Sequence, residues 1–172
     1  MKASYPHPRS VAFLLAQVGT HAAAKFAERL APLELVPAHA GMLRLLTSSP
    51  GISQRALSSM LGLPPSRLVV LVDELEERGY VERRASADDR RVYALHLTRK
   101  GSEMLESLGK AAREHDDSIC TALTANERET LGGLLRRIAD QQGLTPGVHP
   151  GFARLGRSTS NEGKERATGR KR

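Results

Sequence analysis

The chain has 172 residues, of which 26% are charged and 3% are aromatic, and it contains one cysteine. This length suffices for one domain with a packed core, and a single cysteine excludes an intrachain disulfide framework. There is no run of about 18 apolar residues, which excludes a transmembrane helix, and no secretory signal precedes the first amphipathic segment. These features predict a cytoplasmic protein without a membrane partner.

The formal net charge of +7 is unevenly distributed. Residues 154–172 hold seven basic and two acidic side chains, a net +5, so the rest of the chain carries only +2. The net charge of the whole chain therefore gives little support for DNA binding, and only a local cluster of basic residues would support it. Residues 144–172, rich in Gly, Pro, Ser and charge, are predicted to be a disordered basic tail. It either attracts phosphate without regard to sequence or is a dispensable terminus.

In chain order, two helices are predicted first. Apolar residues repeat at helical spacing from about residue 10 to about residue 30, and Pro32 ends this pattern. A second helix is expected from about residue 37 to about residue 47, with Met42 and Leu43 on its buried side. We expect residues 1–34 to form an N-terminal arm and a dimerisation helix.

Residues 52–78 have the pattern of a helix-turn-helix. Ser53 can cap the first helix, and Gly62 supplies a turn residue that tolerates positive φ. The second helix opens at Pro64 and Pro65, where missing N–H groups cost little. Its apolar stripe consists of Leu68, Leu71, Val72 and Leu75. Such a second helix is typically the one that enters the major groove of DNA.

Side chains off this stripe, near the start of the second helix, are the ones a recognition helix presents to base edges. Val69 and Val70 either touch thymine methyl groups or pack within the subunit, and Ser66 favours phosphate or water. An acidic run from Asp73 to Glu77 is expected to face solvent or protein. The DNA contacts predicted in the two helices are Ser53, Gln54, Pro65, Ser66, Arg67, Val69 and Val70.

Two strand patterns follow Gly79, from about residue 80 to 84 and from about residue 92 to 97. The hairpin that they predict carries several arginines, among them Arg83. A thin basic loop beside a helix-turn-helix favours insertion into the minor groove, where negative potential is concentrated. The alternative for its tip is a salt bridge within the wing. The arginines predicted to contact DNA are Arg84, Arg90 and Arg91.

These residues resemble the MarR family of bacterial transcription regulators over roughly residues 11–142, most specifically over residues 52–101. The family's wing signature, Asp-x-Arg followed by a strand ending in Leu-Thr-x-x-Gly, is matched here by Asp89, Arg91, Leu97, Thr98 and Gly101. The resemblance implies that Arg91 reaches the minor groove and that Asp89 orients it. Departures at Ser86 and at Val69 and Val70 indicate a different operator.

The C-terminal part predicts two more helices. Thr98 can cap a helix that runs to about residue 120 or 123, and Thr124 with Glu127 forms a capping box for a last helix to about residue 142. The apolar stripes of the terminal helices lack partner surface within one subunit, so they predict a homodimer. Residues 35–100 are then the DNA-binding domain and residues 101–143 the C-terminal dimerisation helices. The fold class is mainly α with a small β-wing (α+β).

The resemblance also implies a ligand cleft between the DNA lobe and the dimer helices. His21, His39, Met42 and Arg44 are candidates to bind a small anionic or aromatic effector there, and a core or surface role is the alternative for each. The histidines lack metal-ligand spacing, so neither a metal nor a cofactor is expected. Cys120 is interpreted as a small apolar residue near a helix end.

The sequence contains no catalytic motif, and an enzyme is therefore not expected. We predict a transcription regulator, a repressor by resemblance, that binds a pseudopalindromic operator as a homodimer. Its half-sites should lie about 34 Å apart. Two alternatives remain open: a DNA-binding protein without sequence preference, and a winged-helix module that binds another protein.

Overall fold

The computed structural model describes residues 10–85 and 93–149. Its helices are α1 (Val11–Leu30), α2 (Pro37–Ser48), α3 (Gln54–Leu61), α4 (Pro65–Glu77), α5 (Arg99–Ile119) and α6 (Ala125–Gln141), with a 3₁₀ turn at Ala31–Leu33. Its strands are β1 (Ile52–Ser53), β2 (Val81–Ala85) and β3 (Tyr93–Leu97). The predicted class, mainly helical with a winged helix-turn-helix, is confirmed.

Side-chain hydroxyls cap four of the described helices: Ser10 caps α1, Ser53 caps α3, Thr98 caps α5 and Thr124 caps α6. The Ser53 hydroxyl, for example, accepts the backbone N–H of Ala56 at 3.2 Å. At α6 the Glu127 carboxylate accepts the Thr124 N–H at 2.8 Å, which completes the predicted capping box. These contacts satisfy N–H groups that a first helical turn leaves free, and they explain why the predicted helix starts were right.

The wing sheet has three described strands, whereas the sequence predicted a two-stranded hairpin. β3 lies at the centre, with β1 and β2 antiparallel on either side. Leu95 is thus aligned with Ile52 of β1 and with Arg83 of β2. Two residues are too few for an alternating pattern to be recognised, so β1 escaped prediction. Because β1 leads directly into α3, this short strand joins the helix-turn-helix to the wing.

The turn between α3 and α4 has the geometry that the sequence indicated. Gly62 adopts φ +62°, where a side chain would be strained. Ser58 is buried, and its hydroxyl donates to the Leu63 carbonyl at 2.6 Å, so the small side chain satisfies a backbone acceptor inside the turn. The predicted apolar stripe of α4 is buried, and it packs with the apolar side chains of α2 and α3: Leu43, Leu46, Leu57, Leu61, Leu68, Leu71, Val72 and Leu75.

The start of α5 is docked tightly on the wing. A Cβ atom built on Gly101 would lie 2.0 Å from the backbone oxygen of Tyr80. The Thr98 hydroxyl also donates to the Gly79 carbonyl at 2.6 Å. Only glycine permits this approach, because the opposing atom belongs to the backbone and cannot rotate away.

Apolar faces of α1 and α6 remain exposed in the single chain. α6 has no buried residue in the part of the chain that is described. A groove of about 550 Å³ runs between the two helices, with Val11 and Leu15 on one side. The exposed apolar residues of these helices are Val11, Phe13, Leu14, Leu15, Val18, Leu131, Leu134, Leu135 and Ile138.

No helix in the described ranges is long and apolar enough to span a membrane. Cys120 lies half-buried at the C-terminal cap of α5, close to the position expected from the sequence.

Candidate nucleic-acid interface

The N-terminal half of α4 presents a free face opposite its buried stripe. Pro65 and Ser66 are exposed, and the valines that follow are 41% (Val69) and 55% (Val70) exposed. Their side chains therefore do not fill the core of the subunit, which removes one of the two roles that the sequence left open. Arg67, beside them, is half-buried.

The side chains at the start of α3 are less accessible to a DNA duplex than those at the start of α4. The Ser53 hydroxyl is engaged in capping the helix. Gln54 is half-buried, and its side-chain Nε2 is buried without a hydrogen-bond partner among the described residues. An unpaired buried amide is costly, so a rotation that brings Gln54 onto an external acceptor would relieve that cost.

The contacts of Arg83 are not those that the sequence indicated. It was grouped with the basic side chains of the wing, yet its guanidinium pairs with Asp73 and Glu76 of α4. Its backbone N–H also donates to the Glu76 carboxylate at 3.1 Å. Burial disfavours the charge, but the hydrogen bonds and charges of the two carboxylates outweigh it and raise the pKa of Arg83. Arg83 clamps β2 onto α4 and offsets part of the negative charge of these two acids.

A third acid of α4, Glu74, contacts His39 of α2. The His39 imidazole is 2% exposed, and its Nε2 lies 2.9 Å from the carboxylate of Glu74. Its Nδ1 accepts the backbone N–H of Val36 at 3.4 Å. Burial lowers the pKa of His39, Glu74 opposes that shift and Arg78 adds to it, so the imidazole is neutral near pH 7.

The base of the wing carries exposed charge. Arg84 is exposed on β2 and forms an ion pair with Glu82. Lys100, at the start of α5, donates to the Arg78 carbonyl at 2.7 Å and lies 5.0 Å from the centre of the Tyr80 ring. The tip residues predicted to contact DNA, Asp89, Arg90 and Arg91, lie outside the described residues, as does Ser86.

The four residues predicted to form a ligand pocket do not come together. His21 is exposed on α1, whereas His39 and Met42 face the core. Arg44 alone lines a cavity of about 370 Å³ between α1, α2 and α5. Its other lining residues are Phe26, Pro37, Ala40, Gly41, Leu105, Leu108, Gly109, Ala112 and Gly147. This cavity was not predicted from the sequence. The small residues Ala40 and Gly41 on α2 and Gly109 on α5 were the signal that could have indicated it.

The charge of this cavity comes from one side chain. Arg44 supplies the one charged side chain among its described lining residues, and the remainder are apolar or glycine. Phe26 provides an aromatic wall and packs on His115 with a centroid distance of 5.2 Å. Such a site suits a small, flat molecule that carries one negative charge. Within the described ranges, no cluster of three or more His, Cys, Asp or Glu residues could hold a metal ion.

Known proteins similar to this chain agree with one another. The sequence model described as MarR family matches residues 34–92. A Thauera aromatica protein, the putative transcriptional regulatory protein for the hcr operon, is 37% identical over 123 residues, which is 71% of this chain and 74% of that protein.

Two solved structures share the fold. The transcriptional repressor CouR, bound to a 23-mer DNA duplex, has a TM-score of 0.68 and 32% identity, over 76% of this chain and 92% of that chain. A MarR family protein of Mycobacterium tuberculosis, in complex with p-aminosalicylic acid, has a TM-score of 0.64 and 25% identity, over 76% of this chain and 98% of that chain.

Proposed function

The chain belongs to the MarR family of transcription regulators, and we propose that it represses transcription as a homodimer on a pseudopalindromic operator. It is a DNA-binding regulator and not an enzyme. We also propose that it acts in the cytoplasm and that a small effector controls its binding to DNA.

The free N-terminal face of α4 beside the wing is the observation that carries the proposed DNA contact. Two of the acids in the second half of α4 share an ion pair with Arg83, so they repel phosphate less than isolated carboxylates would. Phosphate contacts would position the module, and the exposed side chains of α4 would read base edges. The proposed DNA-binding residues are Ser53, Gln54, Pro65, Ser66, Arg67, Val69, Val70, Arg84, Asp89, Arg90 and Arg91.

The exposed faces of α1 and α6 support the proposed homodimer. They form a continuous apolar groove, and contiguous apolar surface of this kind usually marks an interface. A second copy of the chain would cover both helices at once and relate the two α4 helices by a two-fold axis. Half-sites about one helical turn apart, roughly 34 Å, follow from that symmetry.

The α1–α2–α5 cavity supports an effector of the small aromatic carboxylate class. Arg44 would pair with the carboxylate, and Phe26 and the leucines of α5 would contact the ring. The Mycobacterium tuberculosis relative binds p-aminosalicylic acid, which has this chemistry. A ligand that binds only a spacing of the two α4 helices unsuited to the operator would lower DNA affinity.

Selection of bound fragments from random genomic DNA tests this function. The enriched fragments should share a pseudopalindrome, and the protein should prefer it to random DNA by at least about 10³. Equal affinity for both would indicate a DNA-binding protein without sequence preference. Failure to bind either would indicate a module for protein contacts.

A further inference from the structure

We propose that His39 is a positioning residue that sets the orientation of the recognition helix through the close contact between its Nε2 and the Glu74 carboxylate of α4. This inference rests on the proposed function, because it assumes that α4 reads the operator. His39 itself does not touch DNA, since it is buried beneath α4.

The polarity of His39 is not required by the core. Among the described residues, His39 and Ser58 are the two polar side chains classed as buried. Ser58 is accounted for by its hydrogen bond to Leu63 within the turn. An aliphatic side chain in place of His39 would fill the core without the cost of desolvating an imidazole. The contacts of the two ring nitrogens account for a polar residue at this position.

The two ring nitrogens join two helices. Nδ1 accepts the backbone N–H of Val36, which is the N-terminal cap residue of α2. A nitrogen that accepts carries no hydrogen, so the neutral ring has its hydrogen on Nε2. That atom lies 2.9 Å from the Glu74 carboxylate, although the ring N–H is not well aligned with the oxygen. The contact is therefore mainly electrostatic.

The charges around the ring come from α4 and from the segment before α2. Glu74 favours the protonated imidazole, whereas burial and Arg78 favour the neutral one. Arg78 is held in turn by Glu34, whose carboxylate lies 3.7 Å from its guanidinium. The Arg78–Glu34 pair keeps the C-terminal end of α4 near α2, and the His39–Glu74 contact holds the middle of α4.

Helix α2 has the cavity on one side and the recognition helix on the other. Ala40, Gly41 and Arg44 line the α1–α2–α5 cavity, whereas His39, next in sequence to Ala40, contacts Glu74. Because a packed helix moves as a unit, a shift of α2 at the cavity would carry the imidazole with it. The His39–Glu74 contact would then transmit that shift to α4.

The first test is the protonation of the ring, which requires no operator. Long-range ¹H–¹⁵N NMR of the full-length protein at pH 7 should show His39 neutral with its hydrogen on Nε2. Glu74→Gln should shift the Nε2 resonance and leave Nδ1 nearly unchanged. An imidazolium, or a ring with its hydrogen on Nδ1, would overturn the proposal.

The second test is a double-mutant cycle on operator affinity. His39→Leu and Glu74→Gln should each raise the Kd for the selected operator by about tenfold. The loss in the double variant should be smaller than the sum of the two single losses, because both remove the attraction between the imidazole and the Glu74 carboxylate. Affinity for random DNA should not decrease. Additive losses, or wild-type operator affinity, would contradict the proposal.

Controls separate positioning from general damage to the core. Ser58→Ala removes the other buried polar side chain and should act additively with Glu74→Gln. His39→Gln keeps a polar group able to donate and should recover operator affinity to within about threefold. Should His39→Leu fail to fold, Glu74→Gln, at a half-exposed position, still tests the contact.

The two proposals fail in different ways. If selection enriches no DNA fragment, the proposed function fails, while the NMR result still decides whether the imidazole has the expected hydrogen. If an operator is found and the variants bind it as the wild type does, the role of His39 fails alone.

Discussion

At the scale of single residues, the acids of the recognition helix show how one side chain can serve two purposes. Asp73 and Glu76 would repel DNA if they were free, and Arg83 offsets part of their charge while it ties β2 to α4. Its neighbour Arg84 stays exposed. Successive residues of a strand point to opposite faces, so one arginine is directed to the helix and the next to solvent.

Arg83→Ala should therefore destabilise the protein more than Arg84→Ala does. Loss of Arg83 leaves two partly buried carboxylates unpaired, and we expect the free energy of unfolding to fall by about 1–2 kcal/mol. Arg84→Ala, at an exposed position, should change it by less than about 0.5 kcal/mol. Urea unfolding followed by circular dichroism measures both, and equal effects would mean that the clamp has no net stabilising role.

His39 also predicts how stability depends on pH. Its pKa is lowered in the folded protein, whereas an unfolded histidine has a pKa of about 6.5. Its neutral form is therefore favoured by folding, and the stability it contributes is present above about pH 6.5 and lost as pH falls through the folded pKa. The free energy of unfolding should decrease between pH 7.5 and pH 5.

His39→Gln should reduce that decrease, because glutamine does not titrate. The decrease should not vanish, since burial and the nearby Arg29 also lower the pKa of His115. Ser58→Ala, which removes no titrating group, should leave the difference between the two pH values unchanged. An undiminished difference in His39→Gln would assign the pH dependence to other residues.

At the scale of elements, the wing and α5 are held together by a close backbone approach. Gly101 lies where any Cβ would collide with the Tyr80 carbonyl. The wing begins just after Tyr80 and ends at Leu97, so α5 is locked to the same structure that flanks α4. A change in the direction of α5 would therefore move the wing with it.

Gly101→Ala should loosen this junction. The clash cannot be relieved by a side-chain rotation, so we expect a loss of about 1–3 kcal/mol, the usual range for overpacking. Ser102→Ala, at the next position and exposed, should stay within about 0.5 kcal/mol of the wild type. Chemical unfolding of the three proteins decides, and a neutral Gly101→Ala would mean that β2 and α5 can separate without cost.

At the scale of the whole molecule, one chain leaves two surfaces incomplete. None of the described residues covers the apolar faces of α1 and α6, and the face of α4 presents valines to solvent. α1 and α6 are the first and last of the described helices, whereas α4 lies between them in the sequence. A two-fold dimer on DNA would cover both surfaces with different partners.

Leu134→Asp should test which surface makes the dimer. Leu134 is 48% exposed in the single chain, so a charge there costs the monomer little, but it would be desolvated at an apolar interface. We expect sedimentation equilibrium to show a shift toward monomer. Val70→Asp, an equal change on α4, should remain dimeric and lose operator binding. The proposed dimer surface is wrong if Leu134→Asp associates as the wild type does.

Local sequence patterns were enough to predict the helix boundaries, the α3–α4 turn and the buried stripe of α4. Caps such as Ser53 and Thr124, the positive φ of Gly62 and apolar spacing act over a few residues, so local patterns reveal them. Contacts between segments distant in the sequence explain why β1 joins the wing, why Arg83 faces α4 and why His39 lies against Glu74. Those outcomes depend on which distant segments pack against each other, and local periodicity carries no information about such contacts.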